Sequence, residues 1–165
     1  MASIIKVDTI QNATGAFEHA RLVQVQSVTK TTAFTTTSTS LVDITGFTDA
    51  ITPTNSANKI LVIVSANIAN STADNASMIT LIRGTTAIAI GTDGSGFNVS
   101  GYTAPSENYD VSGVSIVHVD SPSSTSAVTY KVQAQANNGT FCLNRRGDDT
   151  STAMVSSITL VEIRT

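Results

Sequence analysis

The sequence predicts an all-β protein, an antiparallel β-sandwich of jelly-roll type with an extended N-terminal arm. Three observations predict this class. Val, Ile and Thr, which are stiff at χ1 and suit a pleated strand, fill much of the chain. Short stretches of them recur at the spacing of a sandwich, and clusters rich in Gly, Asn and Ser separate the stretches. No stretch has a convincing helical period.

The first 20 residues are the predicted arm, and residues 21–165 are the predicted sandwich. Ile4, Ile5, Val7 and Ile10 form one short apolar stretch, and a turn-like break follows it. A segment that leaves the body and docks on another protein has this pattern. An ordinary edge strand has it too, so the sequence leaves both interpretations open.

Ten strands are predicted in the sandwich. The clearest is 127–135, where Val128, Tyr130, Val132 and Ala134 fall on one face and polar residues on the other. Strict alternation of this kind is typical of a strand with one solvated face. The remaining predicted strands are 21–29, 31–39, 41–47, 59–69, 77–83, 85–91, 111–119, 140–145 and 153–163.

The predicted strand 59–69 is apolar on both faces, because Leu61 and Ile63 stand at positions where an alternating strand would have polar residues. We expect it to be a central strand that is covered on both sides, by the opposite sheet and by a neighbouring subunit. The two candidate functional loops are 144–151 and 91–110, of which the second is long and Gly-rich and contains Tyr102 and Tyr109. Long loops of this kind are often functional.

Composition excludes several classes of protein. Lys and Arg number 9 against 12 Asp and Glu, so the net charge is -3 and there is no basic excess to bind a nucleic acid. No apolar run approaches the length of a membrane span, and the first residues lack the pattern of a signal peptide. The single Cys cannot form a disulfide within the chain.

No catalytic centre, metal site or cofactor site is expected. His118 shares a face with Val114 and Ile116, which favours a structural or interface role over catalysis. Cys142 has no His or Asn motif beside it and is expected to be a small packed residue. The spacings of metal-ligating residues are absent from the sequence.

Only 13% of the residues are charged, whereas 26 Thr and 20 Ser make 46 of the 165 positions hydroxyl residues. Ser and Thr pack at flat interfaces, where a buried Lys or Glu would be costly to desolvate. We therefore expect a subunit that buries much of its surface in a homo-oligomer. Leu61, Ile63 and His118 are the predicted residues of the subunit interface.

Five segments together resemble structural proteins of tailed bacteriophages, particularly those of aquatic bacteria. The segments are 2–11, 56–62, 81–88, 120–130 and 157–162. The resemblance implies a virion protein with a sandwich head, often trimeric, and an N-terminal attachment point. Ile4, Ile5, Val7 and Ile10 would then dock on a capsid or tail subunit. Tyr102, Tyr109, Asn144 and Arg145 would stack on or hydrogen-bond a host surface glycan.

The sequence alone leaves three hypotheses about the function open. The first is a short fibre or tail component, and the second is a capsid decoration protein that stabilises the head shell. The third is a carbohydrate-binding, lectin-like module, which the absence of Trp disfavours. The chain departs from long tail fibres of the family, because no shaft fits between Gln11 and Val23.

Overall fold

The computed structural model describes residues 22–94 and 96–165, and this part of the chain consists of β-strands and loops. The strands are β1 (Leu22–Lys30), β2 (Phe34–Thr36), β3 (Val42–Ile51), β4 (Lys59–Asn70), β5 (Ser77–Arg83), β6 (Thr86–Ile88), β7 (Gly101–Thr103), β8 (Ser112–Asp120), β9 (Val128–Ala136), β10 (Phe141–Leu143) and β11 (Ser156–Ile163).

The strands form two antiparallel sheets that pack face to face, which confirms the predicted sandwich. The six-stranded sheet contains β1, β2, β4, β8, β10 and β11, and the five-stranded sheet contains β3, β5, β6, β7 and β9. The strands pair in nested order, from the two ends of the sequence towards its middle. β1 pairs with β11, β3 with β9, β4 with β8, and β5 with the short β7. A long antiparallel hairpin rolled up in this way is a jelly roll.

The core lies between the two sheets. In β4, the alternate residues from Ile60 to Ile68 point inwards, and in β9 Tyr130, Val132 and Ala134 meet them from the other sheet. The period-two prediction for β9 is therefore confirmed. Alternation places one face of each strand in the core and the other outside, because successive side chains point to opposite faces of a sheet.

The prediction that residues 59–69 are covered on both sides is not met within the described chain. Leu61 of β4 is half-buried and Ile63 is 38% exposed, because only one face of the six-stranded sheet packs against the rest of the sandwich. The strands that the described chain buries on both faces are β5, where Met78 and Ile79 are both fully buried, and the short β10.

The two ends of the sandwich carry different parts of the chain. Leu22, where the described body begins, pairs with Ile163 near the C-terminus, and Ile163 pairs with Lys59 at the start of β4. We call this the arm end. The other end, which we call the loop end, carries the loops 71–76, 104–111, 137–140 and 144–155. The 12 residues of β4 span the distance between the ends, about 36 Å at about 3.3 Å per residue.

Candidate functional site

The outer face of the six-stranded sheet carries four of the nine exposed large apolar side chains of the described chain: Val25, Ile63, Val117 and Val119. Its central row runs straight across four strands, because Val25 pairs with Val161, Val161 with Leu61, and Leu61 with Val119. Val25 is 56% exposed and Val119 50%. Cross-strand neighbours on one face lie side by side, so these four side chains form a continuous apolar ridge.

The neighbouring rows extend this surface without adding charge. Val117, which is 66% exposed, pairs with Ile63, and Ile63 pairs with Thr159. Thr159 pairs in turn with Ser27, and their hydroxyl oxygens lie 2.9 Å apart. The next row contains only hydroxyl residues: Ser115, Ser65, Ser157 and Thr29.

Among the outward positions of β1, β4, β8 and β11, Lys59 at the arm end carries the one charge. An apolar face with a single charge at one end is typical of a contact surface with another protein. Besides Lys59 and Asn67, its polar members are Ser and Thr, which can pair their hydroxyl groups across an interface at little desolvation cost.

Strand β8 forms an open edge of the same sheet. All nine of its residues pair with β4 on one side, and no strand of the described chain pairs with it on the other. Between Ser112 and His118 the strand contains no Pro and no acidic or Lys residue, the features with which natural proteins usually protect an edge. The edge and the outer face together form one uncovered surface.

The structure separates the three residues that were predicted at a subunit interface. Leu61 and Ile63 lie on the outer face. His118 points to the opposite side of the sheet, with Val114 and Ile116, and is half-buried at the open edge. Its imidazole therefore contributes to the edge and not to the outer face.

Sequence reasoning missed four apolar residues of this surface: Val25, Val117, Val119 and Val161. Each stands in a strand that the sequence did predict. The signal that could have found them is the same alternation, since Val117 and Val119 lie two residues apart on the face opposite Ile116.

At the arm end, the carboxylate of Glu162 accepts hydrogen bonds that link β1 to the rest of the body. Its carboxylate is fully buried, and Oε2 accepts a 2.6 Å hydrogen bond from Nε2 of Gln24 in β1. Oε1 accepts from the backbone N–H and hydroxyl of Thr54, each at 2.8 Å, and from Nδ2 of Asn58 at 2.6 Å. Burial alone raises the pKa of Glu162, but these hydrogen bonds outweigh it and lower the pKa to about 2.

The predicted docking residues Ile4, Ile5, Val7 and Ile10 lie outside the described residues. Of the segment that carries them, the structure shows only the position at which the described body begins. That point is Leu22, at the edge of the outer face and next to the Glu162 cluster.

At the loop end, the two predicted functional loops meet. The guanidinium carbon of Arg146 lies 5.5 Å from the centroid of the Tyr109 ring, a cation–π arrangement. Gly147 is pressed so closely against the backbone oxygens of Asn70 and Asn108 that no Cβ would fit. Tyr109 thus contacts Arg146, the residue after Arg145, whereas Tyr102 lies on β7, in the other sheet, and is exposed.

The prediction that Asn144 lies exposed on a loop is wrong. The residue is only 1% exposed and adopts a left-handed conformation, with φ 60°. Its Nδ2 donates to the backbone oxygen of Lys30 at 2.8 Å, and its Oδ1 accepts from the hydroxyl of Ser156 at 2.6 Å. The amide joins β1, β10 and β11 and is not available to a ligand.

Several other buried polar groups are also engaged within the described chain, whereas the fully buried hydroxyl of Thr80 has no hydrogen-bond partner there. Tyr130 donates its phenol hydrogen to Oδ2 of Asp120 at 2.6 Å, and Arg83 pairs with Oδ1 at 2.7 Å. Burial, and then the bond to Asp120, raise the pKa of Tyr130 above its usual value of 10. Burial also raises the pKa of the Cys142 thiol, so the thiol is protonated at neutral pH.

Within residues 22–94 and 96–165, no group of three or more His, Cys, Asp or Glu side chains could hold a metal ion. The same residues contain no helix that is long and apolar enough to cross a membrane.

No family model matches the sequence, and no curated protein matches it. Among solved structures, the fold resembles a chain from the structure of infectious bursal disease virus, Gx strain, with a TM-score of 0.39 and 12% identity. The match covers 98% of this chain, which spans only 43% of the length of the viral chain.

Proposed function

We propose that the chain is a non-enzymatic structural protein of a phage virion, which forms a homotrimer and is anchored to the particle by its N-terminal arm. The observation that carries the proposal is the apolar outer face of the six-stranded sheet. A monomer would leave this face in water, whereas an assembled subunit buries it. The low charge of the whole chain agrees with such a subunit.

The open edge of β8 supports a ring-shaped assembly. The edge of one copy can pack on the outer face of the next, which is a heterologous contact, and contacts of this type close into rings. Three is the number that the sequence resemblance to phage structural proteins implies. In this assembly, Leu61 and Ile63 lie in the contact and His118 lies at its border.

The positions of the two ends support a short fibre or tail component. The arm joins the body at one end, and the loops with Tyr109 and Arg145 are at the other, about 36 Å away at about 3.3 Å per residue of β4. A subunit fixed by its arm to a capsid or tail protein would present the loop end outwards, where it can contact a host surface glycan. The protein needs no cofactor, nucleic acid or membrane for this role.

The oligomeric state tests the assembly. The mass of the purified full chain in solution, measured by light scattering or native mass spectrometry, is expected to be three times that of one chain. A monomer at micromolar concentration would overturn the proposal of a self-assembling subunit.

Location and copy number on the particle test the role. Imaging of virions that carry the labelled protein is expected to show tens of copies on the tail. Hundreds of copies on the head would instead identify the protein as a capsid decoration protein. Deletion of residues 1–15 is expected to give a folded protein that is absent from particles, and a truncated protein that still assembles onto virions would contradict anchoring by the arm.

A further inference from the structure

A small cavity opens at the loop end beside β2, at a place that the assembly surface does not use. Its volume is about 210 Å³. Sites for drug-sized molecules run from about 300 to 1,000 Å³, so this cavity suits a single sugar ring. Its lining includes Phe34, Thr35, Arg145, Thr150 and Thr152, and the amide of Asn144, which also lines it, is engaged within the chain.

The floor of the cavity is held rigidly. The buried amide of Asn144 is fixed by Lys30 and Ser156, and the backbone oxygen of Asn144 accepts a 3.1 Å hydrogen bond from the N–H of Met154. The bond from Met154 to Asn144 therefore joins the two ends of the loop that carries Arg145, Thr150 and Thr152. A site formed before the ligand arrives loses less conformational entropy on binding.

Arg145 brings a positive charge to this cavity. Its Nε donates to the backbone oxygen of Arg146 at 2.9 Å, which orients the guanidinium group. Its two terminal nitrogens form no hydrogen bond or ion pair with any residue in 22–94 or 96–165. Their N–H groups can therefore donate two parallel hydrogen bonds to the two oxygens of an anion such as a carboxylate.

The neighbouring acidic groups are engaged elsewhere. Arg146 pairs with Asp148 at 2.6 Å and lies 3.7 Å from Asp149. Oδ1 of Asp149 also accepts from the hydroxyl of Ser151 at 2.8 Å and from its N–H at 3.0 Å. No acidic side chain lines the cavity, although Asp149 lies near enough for the charge of Arg145 to help lower its pKa.

We propose that this cavity binds an acidic sugar residue, such as a hexuronic acid of a host surface glycan, with its carboxylate on Arg145. The guanidinium fork matches a carboxylate with two parallel hydrogen bonds. The hydroxyl groups of Thr35, Thr150 and Thr152 can both donate to and accept from sugar hydroxyls. The half-buried Phe34 ring, held edge-on against Phe141 at 6.5 Å, offers an apolar wall to the sugar ring.

This inference rests on the proposed function, because it assumes that the loop end faces the host. Its test uses the full chain in solution, titrated with glucuronate or galacturonate and followed by NMR or calorimetry. We expect a dissociation constant of the order of 1 mM for a single sugar, and binding at least tenfold weaker for neutral glucose. Added salt should weaken the binding of the uronates, since the interaction is ionic.

Two matched variants on one loop make the test specific. Arg145→Gln is expected to weaken uronate binding at least tenfold, and Arg145→Lys to weaken it as well, because an ammonium group lacks the fork. Arg146→Gln, which removes the arginine that is already paired, is expected to leave the affinity within about twofold. Thermal unfolding of each variant verifies that the body is intact.

Three results would overturn the inference: equal affinity for glucose and glucuronate, unchanged affinity in Arg145→Gln, or no binding of any sugar by the folded protein. They can be distinguished from failure of the proposed function. A trimer that binds no uronate refutes only the sugar site, whereas a monomer that binds uronate through Arg145 refutes only the trimeric assembly.

Discussion

Nδ2 of Asn58 donates a 2.6 Å hydrogen bond to Oε1 of Glu162, and neither residue is more than 3% exposed. The pair joins the loop before β4 to the last long strand, and the same carboxylate also holds Gln24 of β1. Among the described residues the cluster contains no cation, so neutral donors there balance the negative charge of Glu162. A buried charge of this kind depends on each of its partners.

Replacement of Glu162 by Gln is expected to destabilise the body by about 2–4 kcal/mol, since charge-assisted hydrogen bonds are lost and donors are left facing an amide. Urea unfolding followed by circular dichroism measures this change. Glu107→Gln is the matched control, because Glu107 is exposed, and it should change the free energy of unfolding by less than about 0.5 kcal/mol. Equal stability of the two variants would contradict the role of the cluster.

The same carboxylate predicts a dependence of stability on pH. The pKa of Glu162 in the folded protein is about 2, below its ordinary value of 4.5. A lowered folded pKa adds stability that is fully present above pH 4.5 and is lost as the pH falls towards 2. The contribution is about 3 kcal/mol, at about 1.4 kcal/mol per pKa unit. Unfolding measured between pH 2 and pH 6 should show this loss in the native chain, and a flatter profile in Glu162→Gln.

A negative charge on the β8 side of the outer face is expected to dissociate the proposed trimer. Val117 is largely exposed in the single chain, so Val117→Glu leaves the core of each subunit intact. Burying that carboxylate without a partner in the assembly would cost several kcal/mol and raise the dissociation constant at least tenfold. Tyr102→Glu is the control, since Tyr102 is exposed on the other sheet. A Val117→Glu protein with the native mass would exclude this face as the interface.

Two substitutions at Asn144 separate its hydrogen bonds from its backbone conformation. Asn144→Gly keeps the left-handed conformation available but loses both side-chain bonds, so we expect it to be about 2–3 kcal/mol less stable than the native protein. Asn144→Ala should lose about 1 kcal/mol more, because φ 60° is unfavourable for a residue with a Cβ. Chemical denaturation of the three proteins provides the comparison, and Ala as stable as Gly would show that the conformation relaxes without strain.

Gly147→Ala is expected to displace the 144–155 loop from the 104–111 loop. A Cβ at this position would overlap the backbone oxygens of Asn70 and Asn108, which cannot swing away as a long side chain can. The expected loss is about 1–3 kcal/mol of stability, with a changed environment of the Tyr109 ring in NMR spectra. Gly91→Ala is the control, since an added methyl there meets open space. Unchanged Tyr109 resonances in Gly147→Ala would contradict the close contact of the loops.

The sequence predicts the class of fold well because the long strands carry their own signal. In β9, alternation of apolar and polar residues specifies both the strand and the face that it buries. The short strands β2 and β7 have only three residues each, too few to show any period. Residues 31–39 were therefore predicted as a longer strand than exists, and β7 was predicted as part of a loop.

The candidate sites depend on contacts that no local pattern records. Asn144 stands among Arg, Gly and Asp residues, which is typical of an exposed turn, yet its partner Lys30 is 114 positions away. The meeting of Tyr109 and Arg146 likewise depends on the order in which the hairpin rolls up. Leu61 and Ile63 could be singled out from sequence, but the valines that complete their surface become neighbours only through strand pairing.

The pairing of Leu22 with Ile163 brings the first and last described strands side by side. A short linker from the C-terminus to residue 22 could therefore close the body into a circle without crossing either sheet. New termini opened in the 137–140 turn would then lie at the loop end. Such a circular permutant would keep every strand pair and reverse the direction in which the body points from its tether.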